Sequence, residues 1–270
     1  MKTKFKKSIS ELNIMASTLS NTTAILTAAG YATRFLPWSY VIPKEMLPVF
    51  IDNVPVPAIQ YVFEYLYDSG IRNFVVVVRK YKEAIVSHFS RDDNFLSFLE
   101  RMNKLKEKEM LEKFFRKVED STLLFIPSAP NGFGGAVLSA EKYVHTNYIL
   151  IAAPDMIIPD RLQLNEENIV YVSTSSKPEK YGVVYGNEYV EMIQEKPKNP
   201  KSDKIFLGYA MLDTEIFNFL REEKPDNNGE IQLTPAISRM AKKRKIKIYK
   251  VSRYYDIGNP EDYLKYIRGV

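Results

Sequence analysis

The sequence predicts an α/β fold with a mostly parallel central sheet. Short apolar runs typical of buried strands recur up to Ala152, and residues 73–78 include four consecutive valines, as in strands covered on both faces. Each run is followed by turn residues and then by a segment whose apolar residues have helical spacing. Repeated strand, loop and helix with short connections is the pattern of a parallel sheet with helices packed against it.

The elements of the first half follow one another in that order. Predicted strands span residues 23–27, 73–78, 123–126 and 148–152, and predicted helices span 58–66, 81–88 and 136–144. Gly70 follows the first of these helices, where glycine is a common C-cap. The charged segment 92–120 predicts one or two amphipathic surface helices; a basic nucleic-acid patch is the alternative, which the interleaved acidic residues disfavour.

The second half is less regular. It predicts strands at residues 170–173, 182–185, 190–194, 205–212 and 242–250, helices near 214–220 and 230–240, and a last helix to about residue 267. No internal repeat or low-complexity linker interrupts the chain. We therefore expect an N-terminal extension over residues 1–22, which are polar, and one domain over residues 23–270.

Composition excludes several kinds of site. The 270 residues hold no cysteine and two histidines, so disulfides and thiolate metal sites are impossible and a histidine zinc site is disfavoured. The net charge of +5 is scattered and suits small anionic ligands as well as nucleic acid. No apolar run reaches the roughly 18 residues of a membrane helix, and residues 1–22 lack the apolar stretch of a signal peptide. A cytoplasmic protein is expected by default.

A phosphate-binding loop is predicted after the first strand. Residues 28–34 are mostly small, which lets backbone N–H groups approach a phosphate closely, and Arg34 and Lys44 add two positive charges. The loop is not a P-loop, since the GxxxxGK[ST] motif is absent. It is not followed by a dinucleotide fingerprint either, because the glycines from Gly132 lack the third glycine of that motif.

Three strand ends carry further candidate residues. Because ligands sit at the carboxyl ends of strands in such sheets, Gly30, Gly132 and Asp155 are predicted to line one crevice. Asp155 is well placed to hold Mg²⁺ against a phosphate, and Asp256 stands in a similar context, although each alone is also typical of a turn. The Glu195-Lys196 pair, at a predicted strand end, is either a further part of the site or a solvated surface pair.

Nine short motifs carry a resemblance to a known family, in whose order they occur along about residues 24–265. They are residues 28–37 (AAGYATRFLP), 42–48 (IPKEMLP), 132–138 (GFGGAVL), 154–155 (PD), 181–184 (YGVV), 195–197 (EKP), 208–209 (GY), 229–234 (GEIQLT) and 256–259 (DIGN). The chain resembles the bacterial and archaeal UTP–glucose-1-phosphate uridylyltransferases, or UDP-glucose pyrophosphorylases, of the sugar-nucleotidyltransferase superfamily. PKEMLP and GEIQLT are the most specific of these motifs.

The resemblance implies a three-layer α/β/α, Rossmann-like nucleotide-diphospho-sugar transferase fold with a mixed, mostly parallel sheet. It also implies the Mg²⁺-dependent reaction of UTP with glucose 1-phosphate to give UDP-glucose and pyrophosphate, and a homo-oligomer, either a dimer or a tetramer, with no nucleic-acid or membrane partner. The residues that it implies are catalytic Arg34, Lys44 and Lys196; nucleotide-binding Ala29, Gly30, Thr33 and Gly132; sugar-binding Gly182, Glu195 and Gly208; and metal-binding Asp155 and Asp256.

Two positions depart from the family pattern. Ala32 replaces a loop glycine, and if that position needs a positive φ, alanine costs about 1 kcal/mol. The glutamine with which the family reads its pyrimidine, shortly before Gly132, is absent, and Ser128, Asn131 or the backbone are the candidates to replace it. The alternatives are therefore the same chemistry with another base or sugar, such as dTTP or an amino sugar phosphate, and a non-catalytic nucleotide-sugar-binding paralogue.

Overall fold

A nine-stranded mixed sheet forms the centre of the computed structural model, which describes residues 19–51, 53–128, 131–164 and 168–269. The strands of the described residues are β1 (Thr22–Ala28), β2 (Pro48–Ile51), β3 (Val54–Pro57), β4 (Asn73–Val78), β5 (Thr122–Pro127), β6 (Tyr148–Ala152), β7 (Met156–Ile157), β8 (Ile169–Thr174), β9 (Gly182–Tyr185), β10 (Met192–Glu195), β11 (Lys204–Asp213), β12 (Lys247–Lys250) and β13 (Tyr255–Asp256). Nine of them form the central sheet, whereas β2 pairs with β3 and β7 pairs with β13 in two separate two-stranded sheets. Most of the predicted N-terminal extension lies outside the described residues, and the division at residue 22 stays a prediction.

The parallel half of the sheet centres on β1. It pairs in parallel with β4 on one side and β6 on the other, and β5 continues the sheet beyond β4. Successive side chains point to opposite faces, so Leu26 packs in one core and Ile25 in the other, and both are fully buried. These strands are apolar at nearly every position because both faces are covered.

Helices cover both faces of the sheet, as the predicted three-layer fold requires. They are α1 (Ala58–Asp68), α2 (Glu83–His88), α3 (Asp93–Arg101), α4 (Leu105–Glu119), α5 (Gly132–Ser139), α6 (Ile216–Arg221), α7 (Leu233–Ala241) and α8 (Pro260–Arg268). Helices α1 to α4 supply side chains to one core, whereas α5 to α7 supply the other. The segment 92–120 forms two amphipathic helices, and no helix in the described part of the chain is long and apolar enough to cross a membrane.

The antiparallel half is built on the long strand β11. It pairs antiparallel with β6, β8 and β9, and β10 extends the sheet beyond β9. The register with β8 shifts between Phe206 and Ala210, and Gly208 at this irregularity has a φ of +72°. A positive φ is accessible to glycine at little cost, so the strand bends here without losing its pairing on either side.

Helix α5, helix α7 and strand β12 differ most from the sequence-based expectation. Helix α5 begins at Gly132, four residues before the predicted start, because the carbonyl of Ile231 accepts hydrogen bonds from Gly134 N and Gly135 N and holds the glycines in place. Helix α7 begins at Leu233 rather than at residue 230, since the preceding residues form a turn around Asp226. Strand β12 covers only Lys247–Lys250 of the predicted 242–250.

A buried histidine predicts how stability depends on pH. His88 stacks on Phe114, with ring centroids 5.1 Å apart, and its Nε2 lies 2.8 Å from Oε1 of Gln60. Burial lowers the pKa of His88 to about 4 from 6.5. The unfolded chain therefore binds a proton at a higher pH than the folded chain, and the contribution of His88, about 3 kcal/mol, is complete above pH 6.5 and lost as the pH falls to about 4.

We expect His88→Gln to flatten this part of the stability profile. Denaturant unfolding of both proteins between pH 7 and pH 4 measures it, and the wild type should lose more unfolding free energy than the variant over that interval. The comparison uses slopes, because the variant also loses the ring contact with Phe114. Parallel profiles for the two proteins would contradict the assignment to His88.

Candidate active site

A cavity of about 400 Å³ opens at the carboxyl ends of β1 and β6. Gly30, Gly132 and Asp155 all line it, which confirms the predicted crevice. The other predicted site residues in its lining are Ala29, Arg34, Lys44, Gly182, Glu195, Lys196, Gly208 and Asp256. Thr33 is the exception: it is exposed in the turn after the loop and does not line the cavity. The volume is within the usual range of small-molecule sites.

The loop after β1 exposes its backbone to the cavity and turns at Ala32. Ala29 is buried, whereas a Cβ at Gly30 would meet no atom within 4 Å, so the loop backbone is open to the cavity. Ala32 adopts the left-handed conformation, with φ 53° and ψ 38°, and its carbonyl accepts a hydrogen bond of 2.7 Å from the Ser39 hydroxyl. The turn that follows carries Arg34, which is exposed and makes no ion pair with any described residue.

The strained alanine gives a second prediction. Ala32→Gly should relieve about 1 kcal/mol of left-handed strain, and the added freedom of the unfolded chain should offset about half of it. We expect a net increase of less than about 1 kcal/mol in the free energy of unfolding, measured by denaturant titration. Gly30→Ala is the matched control, since Gly30 has no positive φ and no neighbour for a Cβ. Destabilisation by Ala32→Gly would contradict the strain argument.

Lys44 and Asp155 form an ion pair across the cavity. The Lys44 ammonium, in the turn Lys44–Met46, donates to Oδ2 of Asp155, which follows β6. Burial alone would lower the pKa of Lys44, but Asp155, together with Glu45 and Asp256, outweighs it, and the pKa is raised. Burial would likewise raise the pKa of Asp155, yet the attraction of Lys44 lowers it. Both groups are therefore charged over the neutral range.

Asp256 meets Asp155 through a two-residue strand pair. Asp256 in β13 lies opposite Met156 in β7, and Ile257 N donates to the Asp155 carbonyl at 2.9 Å. A Cβ at Gly258 would lie 2.8 Å from Oδ2 of Asp155 and 3.0 Å from Oδ1 of Asp256, so both oxygens face one point. Burial, and next the charge of Asp155, raise the pKa of Asp256. The two carboxylates that the sequence could not place relative to each other are neighbours.

This pair of carboxylates fits a hard divalent cation. Two like charges that converge in a partly buried site favour a bound cation, and carboxylate oxygens are the ligands that Mg²⁺ prefers. No group of three or more His, Cys, Asp or Glu suited to a metal occurs among the described residues. A cation held by only two protein carboxylates takes its remaining ligands from phosphates and water, which is the usual arrangement for Mg²⁺.

The other end of the cavity is built from β9, β10 and β11. Glu195 ends β10, and its Oε2 accepts a hydrogen bond of 2.9 Å from the Thr234 hydroxyl at the start of α7. Gly182 lies directly opposite Glu195 in the ladder, and a Cβ there would come within 2.9 Å of Thr234 Cγ2. Lys196 follows with a φ of +42°, a left-handed conformation that is uncommon for lysine and is typical of functional sites.

The glycines from Gly132 are held against the turn before α7. Gly132 has a φ of +87°, and a Cβ there would lie 2.7 Å from the Ile231 carbonyl, so no other residue fits without movement. Ile231 N donates in return to the carbonyl of Asn131 at 2.7 Å. Neither Ser128 nor Asn131, the candidates to replace the missing glutamine, lines the cavity. Residues 129 and 130 lie outside the described residues.

Several side chains that line the cavity were not assigned roles from the sequence, and four of them are Tyr181, Thr234, Gln232 and Glu45. Tyr181 donates its hydroxyl to Asp256 at 2.8 Å, Thr234 donates to Glu195, and Gln232 and Glu45 line the cavity. Tyr181, Glu45, Gln232 and Thr234 all belong to the motifs that carry the resemblance, so their motif membership was the available signal. The hydrogen-bond partner of Tyr181 lies 75 residues away along the chain and that of Thr234 lies 39 residues away, so no local pattern reveals either contact.

Comparison with known proteins adds a family. A protein-family model described as nucleotidyl transferase matches residues 23–270. A curated relative from Staphylococcus epidermidis, UTP--glucose-1-phosphate uridylyltransferase, is 30% identical and aligns over 90% of this chain and 89% of its own.

Two solved structures are similar to the whole fold. A UDP-glucose pyrophosphorylase complexed with UDP-glucose has a TM-score of 0.78 at 26% identity, covering 92% of this chain and 97% of that one. A UTP-bound UGPase from Acinetobacter baumannii also has a TM-score of 0.78, at 28% identity and with 92% of each chain covered.

Proposed function

Because the chain belongs to the nucleotidyl transferase family, we propose that it transfers the uridylyl group of UTP to glucose 1-phosphate, giving UDP-glucose and pyrophosphate. One observation carries the proposal. A single cavity combines an open phosphate loop, the cations Arg34 and Lys44, and the converging carboxylates of Asp155 and Asp256. A protein that only bound a nucleotide-sugar would have little use for two carboxylates turned toward each other.

The reaction is an in-line displacement at phosphorus. An oxygen of the sugar phosphate attacks the α-phosphorus of UTP and forms a new P–O bond, while the bond to the bridging oxygen breaks and pyrophosphate leaves. Such chemistry needs little covalent help from a protein, and depends on positioning and on neutralising the charge that accumulates on the phosphates. Arg34 and Lys44, which both line the cavity, supply positive charge that suits that requirement.

On the nucleotide side, the backbone of Ala29, Gly30 and Gly132 holds the nucleotide. Arg34, free of acidic partners among the described residues, holds the triphosphate and the departing pyrophosphate. Lys44 supplies a second positive charge at the reacting phosphates. Thr33 shares the turn with Arg34, and its role stays a prediction because the side chain does not line the cavity.

On the sugar side, Glu195 accepts hydrogen bonds from sugar hydroxyls, and Thr234 orients its carboxylate. Lys196 neutralises the sugar phosphate; its side chain lines the cavity and is exposed, although its ammonium lies 3.4 Å from Oε1 of Glu195. Gly182 and Gly208 leave room for the ring, since a Cβ at either position would already crowd its neighbours.

Asp155 and Asp256 would hold Mg²⁺, which supplies charge neutralisation at the reacting phosphates when bound. Tyr181 orients Asp256 through its hydroxyl, and Lys44 competes for Asp155 until the substrates arrive. The expected dimer or tetramer stays a prediction.

A panel of substrates tests the proposal. Pyrophosphate release is measured with UTP, dTTP, CTP, ATP and GTP, each with glucose 1-phosphate and with an amino sugar 1-phosphate, with and without Mg²⁺. We expect turnover with UTP and glucose 1-phosphate only when Mg²⁺ is present. Faster turnover with another nucleotide or sugar phosphate would keep the reaction type and change the assigned substrates. This is a specific alternative because neither Ser128 nor Asn131, the candidates to read the base, lines the cavity. UDP-glucose binding without turnover for any pair would establish the non-catalytic alternative.

A further inference from the structure

An ion pair lies almost completely buried behind the cavity. The Lys82 ammonium donates to Oε2 of Glu45 at 2.7 Å, and the two side chains are only 3% and 1% exposed. No other ion pair in the described part of the chain is comparably buried; the Lys44–Asp155 pair has side chains 19% and 23% exposed. Glu45 touches the cavity lining, whereas Lys82 does not line it.

Stability alone does not account for this pair. Removing two charges from water costs more than their attraction usually returns, so a buried ion pair is often no better for stability than apolar side chains of similar size. Burial lowers the pKa of Lys82 even with the Glu45 carboxylate beside it, which shows that desolvation of the ammonium is the larger effect here. A pair with this cost at a cavity wall points to a role beyond packing.

The pair is joined directly to the proposed catalytic lysine. Glu45 is the next residue after Lys44, in the single turn Lys44–Met46. The backbone hydrogen bonds of that turn are local: Met46 N donates to the Pro43 carbonyl at 2.9 Å, and Leu47 N donates to the Lys44 carbonyl at 3.0 Å. Its attachments to the rest of the molecule are therefore made by side chains, with Met46 packed against the core and Glu45 paired with Lys82. Lys82 stands at the start of α2, an element anchored in the core by Ile85.

The two neighbouring residues have different partners. Lys44 pairs with Asp155 in the cavity, and Glu45 pairs with Lys82 in a buried site that borders the cavity. Because both residues belong to one short turn, fixing the Glu45 side chain restrains the backbone from which Lys44 projects. A free Glu45 carboxylate would also compete with Asp155 for the Lys44 ammonium, since the two acidic groups both act on Lys44.

We propose that the buried Glu45–Lys82 ion pair is a positioning device for nucleotidyl transfer, which anchors the turn Lys44–Met46 and aims the Lys44 ammonium at the reacting phosphates. The inference rests on the proposed function for the role of Lys44. Lys82 acts through Glu45 and Lys44 and touches no substrate itself. Its effect should therefore appear in kcat more than in the KM for either substrate.

The test compares apolar replacement of the pair with replacement of a lysine elsewhere. Lys82→Met removes one partner, and Glu45→Met with Lys82→Met removes both charges, which keeps the fold accessible if the single variant does not fold. Lys117→Met is the matched control, because Lys117 bridges Glu64 and Asp68 with a partly buried ammonium far from the cavity lining. Unfolding by denaturant establishes which variants are folded.

Kinetics give the first readout. In the folded double variant we expect kcat to fall about tenfold or more, with KM for UTP within about threefold of wild type, whereas Lys117→Met keeps both. In a Lys44→Met background, the same double replacement should change kcat by less than about twofold, because residues that act through one another are non-additive. Wild-type kcat in the folded double variant would overturn the proposal.

Amine labelling gives a readout that does not need activity. With limiting acetic anhydride and mass spectrometry, acetylation of Lys44 should be at least about threefold faster in the double variant than in wild type, because a mobile turn releases the lysine from Asp155. Lys196, whose side chain is 56% exposed and not attached to the pair, is the internal control and should be acetylated at an unchanged rate. Unchanged labelling of Lys44 would overturn the proposal. This readout does not depend on turnover, so inactivity on UTP and glucose 1-phosphate would contradict the proposed function and leave the labelling test valid.

Discussion

Asp155→Asn is expected to lower kcat about 100-fold or more while nucleotide-sugar affinity changes less than about tenfold. Asparagine keeps the size of the side chain and removes its charge. The Lys44 ammonium then loses its charged partner, and Asp256 is left as the one charged carboxylate of the pair beside Gly258. The transition state gathers more negative charge than the bound substrates, so a change in charge at this point affects turnover more than binding.

Steady-state kinetics with varied Mg²⁺, together with calorimetric titration of UDP-glucose, measure the two effects. Asp160→Asn is the matched control, since Asp160 lies on the same connection after β6 with an equally exposed side chain, 23% in both cases. Asp160 pairs with Arg253 and does not line the cavity, so kcat should stay within about twofold of wild type. Turnover of Asp155→Asn that matched the wild type would remove Asp155 from the proposed metal site.

Lys44→Met is the second change for which we expect a large effect, a fall in kcat of about 100-fold to 1,000-fold. The variant loses a cation aimed into a site where phosphates react, and methionine occupies the space without charge. Lys113→Met on the exposed face of α4 serves as the control for loss of one positive charge, and should leave kcat unchanged. A Lys44→Met enzyme with more than a third of wild-type kcat would exclude a direct role for Lys44.

The same variant makes a prediction about stability and pH. In the folded protein Lys44 lowers the pKa of Asp155, whose ordinary value is 3.8, and Asp155 raises the pKa of Lys44, whose ordinary value is 10.5. The contribution of the lowered carboxyl is present above pH 3.8 and is lost as the pH falls, whereas that of the raised ammonium is present below pH 10.5 and is lost as the pH rises. The stability difference between wild type and Lys44→Met should therefore be largest between these values and should shrink outside them.

Much of the fold could be predicted because its strands are continuously apolar. Strands β4, β6 and β9 have the predicted boundaries, since burial on both faces leaves them almost entirely apolar. Boundaries were wrong where tertiary hydrogen bonds replaced local preference. Glycine is a weak helix former, so the first turn of α5 at Gly132 depends on the Ile231 carbonyl, 99 residues away in the chain.

The residues of the candidate site could also be predicted only in part. Motif order and spacing identified the phosphate loop, the two cations and both aspartates, and all of them line one cavity. Thr33 lies in the motif yet outside the lining, because the turn at Ala32 directs its neighbours to different sides. Ala32 does adopt a positive φ, as the family's glycine at this position implied.

The sequence by itself determined the family, the α/β order of elements and the set of charged residues available for phosphate chemistry, because short motifs and hydrophobic patterns are local properties of a chain. Only the tertiary structure decided which of those charges meet. Asp155 and Asp256 are brought together by the pairing of β7 and β13, which are two residues each and too short to leave a periodic signal. Nothing in the sequence marks Glu45 and Lys82 as partners, and only the packing of α2 against the turn Lys44–Met46 shows that they share a buried site beside the lysine proposed to act on the phosphates.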